Sequence, residues 1–269
     1  MLRIVRRGDR HDARDLTVTV TLEGDFAAAF LEGRPDVVFP GETLKRLVYA
    51  VARDYSGRDI ERFGLLLCER VLSAHARISR VRIETTELPW ARLQAGGKAQ
   101  GQVFTSGGVE LRTAVVTSTG EETSVTAGIG RLVLMRSSGF LARSTGTRAD
   151  DGSEDAVQGL LAGTLNARWT YVNPEVTFGA YREGVRGAIL ETFALHAARS
   201  VQYTLYAIAD VMLATYEDIR DVTLAMEERP FLPVDPFAPG DGEPEGVFLA
   251  GEAPLRTVEV TVERDKDPL

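Results

Sequence analysis

The imidazoles and thiols that most often move protons, attack an electrophile or hold a metal at neutral pH are few and scattered. His11, His75 and His196 are the three imidazoles of the 269-residue chain, and each reads as a surface or helix residue rather than a catalyst. The single cysteine, Cys68, has no partner for an internal disulfide and falls within an apolar helical pattern, where a free thiol packs as a small hydrophobe. No Cys/His cluster offers zinc-ligand spacing. The sequence holds no G-x-x-x-x-G-K-[ST], no G-x-G-x-x-G between strand and helix, and no G-x-S-x-G elbow. Gly128-Ile129-Gly130 is a glycine pair in a strand pattern, which marks a twist or bulge rather than a phosphate cradle. Any chemistry must therefore come from residues far apart in the chain that the fold brings together.

The elements that would do this are legible from periodicity. Over residues 15–22, Thr17, Thr19 and Thr21 alternate with Leu16, Val18, Val20 and Leu22, the period of a half-buried strand. Leu44, Leu47, Val48 and Val51 share one helical face; Ile60, Phe63, Leu67 and Val71 share another. Residues 78–84 alternate again, and Gly107-Gly108 predicts a hairpin between 102–104 and 109–116. The second half repeats the order. Strands are expected over 129–135 and 161–172, separated by a Gly/Ser/Asp-rich gap. Helices carrying Val185, Ile189 and Phe193, then Leu205, Ile208, Ala209 and Met212, precede strands at 222–226 and 257–262. The acidic, turn-rich stretch 235–245 reads as a solvated excursion before the last strand. Paired strands with helices grouped between them predict an α+β protein, antiparallel sheet covered by helices on one face, in two units, 1–134 and 135–269. Open sheet edges favour assembly between copies.

Charge and composition exclude several classes. Lys and Arg number 31 against 39 Asp and Glu, giving a net charge of −8, which argues against sequence-independent nucleic-acid binding. At 44% hydrophobic and 26% charged the composition suits a folded globular chain. No window approaches ~18 consecutive apolar residues and no signal-peptide pattern opens the chain, so no membrane partner and a cytoplasmic location are expected.

Several stretches resemble urate oxidase (uricase), particularly its bacterial members. Gly8-Asp9-Arg10-His11-Asp12 through Leu16-Thr17-Val18 is similar to that family's first strand pair, and Glu42-Thr43-Leu44-Lys45 to the start of its first long helix. Ile78 to Ile83 with Pro89-Trp90 resembles the next strand and turn. In the second half Ala167-Arg168-Trp169, Ser200-Val201-Gln202-Tyr203 and Leu232-Pro233-Val234-Asp235 carry the likeness, which covers nearly the whole chain. The resemblance implies a tandem T-fold, two antiparallel sheets each with a helix pair on one face, assembled into a β-barrel homo-oligomer (dimer or tetramer) with sites between subunits. It also implies oxidation of urate by O2 to 5-hydroxyisourate and hydrogen peroxide, without metal or cofactor. The chain ends Asp267-Pro268-Leu269, not in the Ser-Lys-Leu address of peroxisomal relatives.

Carried over residue by residue, the resemblance gives a divided result. Phe140 aligns with the ring that stacks on urate, and Val201 and Gln202 with the pair that binds its pyrimidine edge. On pattern alone Phe140 reads equally as a loop-anchoring core residue, and Gln202 as a capping or surface group. Other positions depart from the family. Gly41 and Glu42 replace its threonine-aspartate pair, Gly159 falls at the urate-clamping arginine, and Glu228 and Pro230 fall at the asparagine and histidine that hold the reactive water or oxygen. The lysine of the relay has no counterpart, the chain beginning just downstream of it. Losing the arginine and adding a carboxylate both oppose binding an anion. Arg143 and Arg199 are the cations near enough in sequence to stand in. The expected function is a uricase-family protein with a diverged purine pocket, poor or inactive alone. The alternatives are an active urate oxidase, or a non-catalytic partner assembling with an active paralogue.

Overall fold

The computed structural model describes residues 1–143, 156–197, 199–229, 231–233, 248–251 and 256–264. A hairpin of β1 (Leu2–Arg7) and β2 (Arg10–Gly24) leads to the short helix α1 (Ala27–Leu31), then to α2 (Gly41–Asp54) and α3 (Ile60–Ala74). The chain returns as β3 (Ile78–Leu88), forms a ribbon of β4 (Trp90–Ala95) and β5 (Lys98–Ser106), and continues in β6 (Leu111–Ser118). The order then repeats with β7 (Thr123–Arg143), β8 (Ala156–Tyr171), α4 (Phe178–Leu195), α5 (Val201–Thr215) and β9 (Ile219–Glu228). A second ribbon, β10 (Phe231–Pro233) with β11 (Phe248–Ala250), precedes β12 (Arg256–Glu263).

Eight strands form one antiparallel sheet in the order β1-β2-β3-β6-β7-β8-β9-β12, so each half contributes four neighbouring strands and the halves join through β6 and β7. Strand alternation decides which face the helices cover. Val81 and Ile83 of β3, and Val222, Leu224 and Met226 of β9, are buried, while their chain neighbours Arg80, Arg82 and Glu227 are exposed. Onto the buried face pack the predicted helix stripes: Phe63, Leu67 and Val71 of α3, and Leu205, Ile208 and Met212 of α5. α2 packs on α3 and α4 on α5. These side chains join Trp169, Val185 and Ile189 in one core spanning both halves. Each fully buried aliphatic residue there contributes about 1.5–3 kcal/mol.

Two features differ from the sequence reading. The hairpin turns at Gly96-Gly97, both with positive φ (59° and 73°), and pairs β4 with β5; β6 pairs instead with β3 and β7. Gly107 is needed elsewhere, because its N–H donates to the Pro89 carbonyl at 2.8 Å and a Cβ would sit 2.8 Å from that oxygen. The repeat in element order passes from one half to the other at the 119–122 turn, and residue 134 lies within the continuous strand β7. The glycine pair at 128 and 130 does mark a bulge: the register between β7 and β8 shifts between Ile129 and Leu132, and Arg131 takes a φ of 57°.

Candidate functional site

β3, β7 and β9 run in the same direction, so their C-terminal ends lie at one end of the sheet with the starts of β6, β8 and β12. Five of the sequence-derived positions lie toward the second-half part of this end. Phe140 of β7 is the register partner of Gly159 of β8, just past an irregularity between Arg136 and Phe140. Glu228 closes β9 opposite Gly163 and Arg256. α5 runs back along β9 from a three-residue connection, which brings its N-terminus, and with it Val201 and Gln202, toward the same end. Side chains at 138–143 and 156–159 lie outside the described residues, as do Pro230 and the whole of 144–155.

Local chemistry fixes the helix start. The Ser200 hydroxyl accepts a hydrogen bond from the Tyr203 N–H at 3.1 Å, capping α5. Val201 is fully buried in the core, and Gln202 is exposed, free to face whatever approaches the helix end. Upstream, Arg136 of β7 donates to the carbonyl of His196 at 2.6 Å, tying the segment that enters α5 to the sheet. Glu228 does not stand as a bare carboxylate: it is buried at 8% exposure and accepts from the Nε of Arg256 at 2.6 Å. Gly41 and Glu42 lie at the other end. They open α2, whose start lies near the α3–β3 turn, where Phe39 meets the His75 ring at 5.7 Å, and Glu42 is exposed and paired with Lys45 at 2.8 Å. One chain therefore holds its candidate positions at opposite ends of the sheet.

The family model for uricase matches residues 1–117 and 125–261, interrupted only around the turn between the two halves. The chain belongs to the uricase family. It is 29% identical over 265 residues to a uricase of Arthrobacter globiformis, covering 98% of this chain and 86% of that protein. It is 26% identical over 273 residues to a uricase of Danio rerio, covering 97% and 90%. The crystal structure of the Arthrobacter globiformis uricase superposes with a TM-score of 0.86 at 29% identity, covering all of this chain and 92% of the other. The tandem T-fold expected from the sequence is thus the fold of this uricase-family chain.

The remaining candidates separate cleanly. Arg199 is exposed and lies 5.8 Å from the Tyr203 ring centroid, stacked on α5; the Arg143 side chain lies outside the described residues. His11 sits in β2, while His75 and His196 follow the ends of α3 and α4, and His196 lies 4.8 Å from the Tyr203 ring. Cys68 is buried in α3, and burial pushes its thiol pKa up to about 12, which makes it a poor nucleophile. No described helix is long and apolar enough to cross a membrane. Sequence reasoning missed Arg256 and Arg136. Arg256 was legible in principle, since a charged residue opening an alternating strand opposite a carboxylate forms a cross-strand pair; Arg136 left no comparable signal.

Proposed function

We propose that this uricase-family chain is a cytoplasmic homo-oligomer, dimer or tetramer, with a diverged pocket for a planar heterocycle such as urate, and that alone it is a poor or inactive urate oxidase. One observation carries the reading. Opposite Phe140 the sheet presents Gly159, and a glycine offers no guanidinium to an anion. The nearby Glu228 and Arg256 neutralise each other, so that pair adds no net attraction for a urate anion. Phe140, Val201 and Gln202 retain the apolar surface, backbone donor and amide that a purine edge uses. The reading involves no metal and no cofactor.

The test follows the ultraviolet absorbance of urate at high protein concentration, alongside titration calorimetry with urate and a non-oxidisable analogue. Neither decay nor tight binding is expected. Sustained turnover would establish the active urate oxidase instead, with Arg256 the first residue to examine. A second reading draws on the separation of Gly41 and Glu42 from Gln202 and Glu228: a pocket built from both ends takes groups from two chains, so the protein could complete the site of an active paralogue. Co-expression with such a paralogue and native mass spectrometry decides this, and purely homomeric particles exclude it.

A further inference from the structure

The first half has its own cavity at this end of the sheet, of about 520 Å³, between β1, the starts of β2 and β6, the loop before α3, the β4–β5 ribbon and α4. That volume suits a small organic ligand. Its walls carry nine arginines. Five are engaged with carboxylates: Arg14 with Glu87 at 2.7 Å, Arg92 and Arg58 with Asp12 at 2.7 and 3.4 Å, Arg112 with Glu61 at 2.9 Å, and Arg186 with Glu110 at 2.9 Å. Arg112 also reaches Asp59 at 3.3 Å. Arg3, Arg7, Arg10 and Arg182 have no carboxylate within 4 Å among the described residues, so nine guanidiniums meet five carboxylates.

Burial and crowding accompany this excess. Nη2 of Arg14, whose side chain is only 10% exposed, has no hydrogen-bond partner, nor have Nε of Arg112 and Nε of Arg182. Buried guanidinium N–H groups without acceptors are costly and rare. Like charge is also crowded: burial and Arg112 hold Arg182 below its ordinary pKa although Glu61, Glu87 and Glu183 partly offset them, and burial with Arg14 and Arg7 lowers that of Arg3. All remain cationic at neutral pH. Trp90, 38% exposed, and Phe104, over which Arg92 lies at 5.3 Å from the ring centroid, give the cavity an apolar flank.

We infer that this cavity binds a small molecule bearing two or more phosphate groups. A ligand with several negative charges spread over many acceptor oxygens matches four lining guanidiniums that form no ion pair within 4 Å among the described residues; a single carboxylate would engage one or two forks and leave the rest. The aromatic flank accommodates a nucleoside carried on such phosphates.

The experiment is titration calorimetry of the full chain with tripolyphosphate, ATP and citrate, without magnesium and in ~0.15 M chloride to screen nonspecific attraction. Tripolyphosphate and ATP bind, and both Arg182→Gln and Arg10→Ala weaken them about tenfold or more, while Arg46→Gln on the exposed face of α2 changes nothing. Arg10 is exposed, so its variant keeps the fold, which circular dichroism verifies. Equal affinity for tripolyphosphate and ATP identifies free polyphosphate as sufficient; tighter ATP binding that Trp90→Ala abolishes identifies a nucleotide. Citrate binding as tightly as tripolyphosphate, or binding that survives both arginine variants, overturns the assignment. Urate turnover plays no part in the readout, so this result and that of the urate assay stand apart.

Discussion

The N-terminal ends of α3 and α5 occupy matching places in the two halves, and the chain reads Arg58-Asp59-Ile60-Glu61 at one and Arg199-Ser200-Val201-Gln202 at the other. Beside each stands a cross-strand Glu–Arg register pair: Glu87 with Arg112 in the first half, Glu228 with Arg256 in the second. The frameworks agree and the solvation does not. Glu61 is fully buried and Arg112 is 11% exposed, whereas Gln202 is exposed and Arg256 is 49% exposed. Two copies of one backbone plan have thus parted in how far they enclose charge: the first half buries both the Glu61 carboxylate and the Arg112 guanidinium, while the second buries the Glu228 carboxylate and leaves the Arg256 guanidinium half-exposed. Burial raises the Glu61 pKa, and Arg112 opposes that rise.

The largest test of this contrast is removal of each arginine. Arg112→Ala removes the ion-pair partner of Glu61, leaving it only the more distant Arg182, and is expected to cost about 3–5 kcal/mol, while Arg256→Ala, at a partly solvated pair, is expected to cost about 1–2 kcal/mol. Urea denaturation midpoints measure both, and equal losses would dissolve the distinction. Next is the backbone. Leu16 faces Glu87 where Gly163 faces Glu228, and a Cβ on Gly163 would lie 2.4 Å from the Glu227 carbonyl oxygen. Gly163→Ala is expected to cost about 2 kcal/mol, and Gly130→Ala, whose nearest neighbour would be 3.6 Å away, much less.

Smaller again is the helix start. Ser200 caps α5 and Asp59 makes no capping bond to α3, so Ser200→Ala should lose about 1 kcal/mol and Asp59→Asn no more than ~0.5 kcal/mol, by thermal melting. The smallest effect at neutral pH belongs to two protonated groups, one in each half. Cys68 is pushed up to about 12 by burial, and Tyr181 to about 12 chiefly by its hydrogen bond to Asp218. The folded chain keeps protons that the unfolded chain releases above its ordinary values of 9.0 and 10.0, so their contribution is complete below pH 9 and is lost as pH rises toward 12. Denaturation midpoints measured from pH 8 to 12 should fall, less steeply in Cys68→Ala and in Tyr181→Phe.

Much of the scaffold was legible because it rests on local patterns. The stripes Phe63-Leu67-Val71 and Leu205-Ile208-Met212 and the alternation in β3 and β9 each need only a window of residues to be read, and burial followed them. The ribbon was misread because Gly96-Gly97 and Gly107-Gly108 look alike in sequence, although the first pair supplies the left-handed turn and the second allows close approach to Pro89. The site was less legible. Phe140, Gly159 and Gln202 entered through family likeness, not through any pattern of their own. The arginine cavity was hidden twice: its residues come from several elements, and a net charge of −8 conceals a local excess of the opposite sign. Arg3 and Arg7 on β1, and Arg10 and Arg14 on β2, do fall at even spacings that share a strand face, which is the trace a sequence reading could have followed.

β7 is hydrogen-bonded to β6 on one side and β8 on the other, and the same apolar cluster runs beneath all three. The duplicated halves consequently have no seam along which one could melt while the other stays intact. Heating should give a single calorimetric peak whose van't Hoff and measured enthalpies agree for the dissociated chain, and a polypeptide ending at residue 122 would leave a raw strand edge and half a core open to solvent.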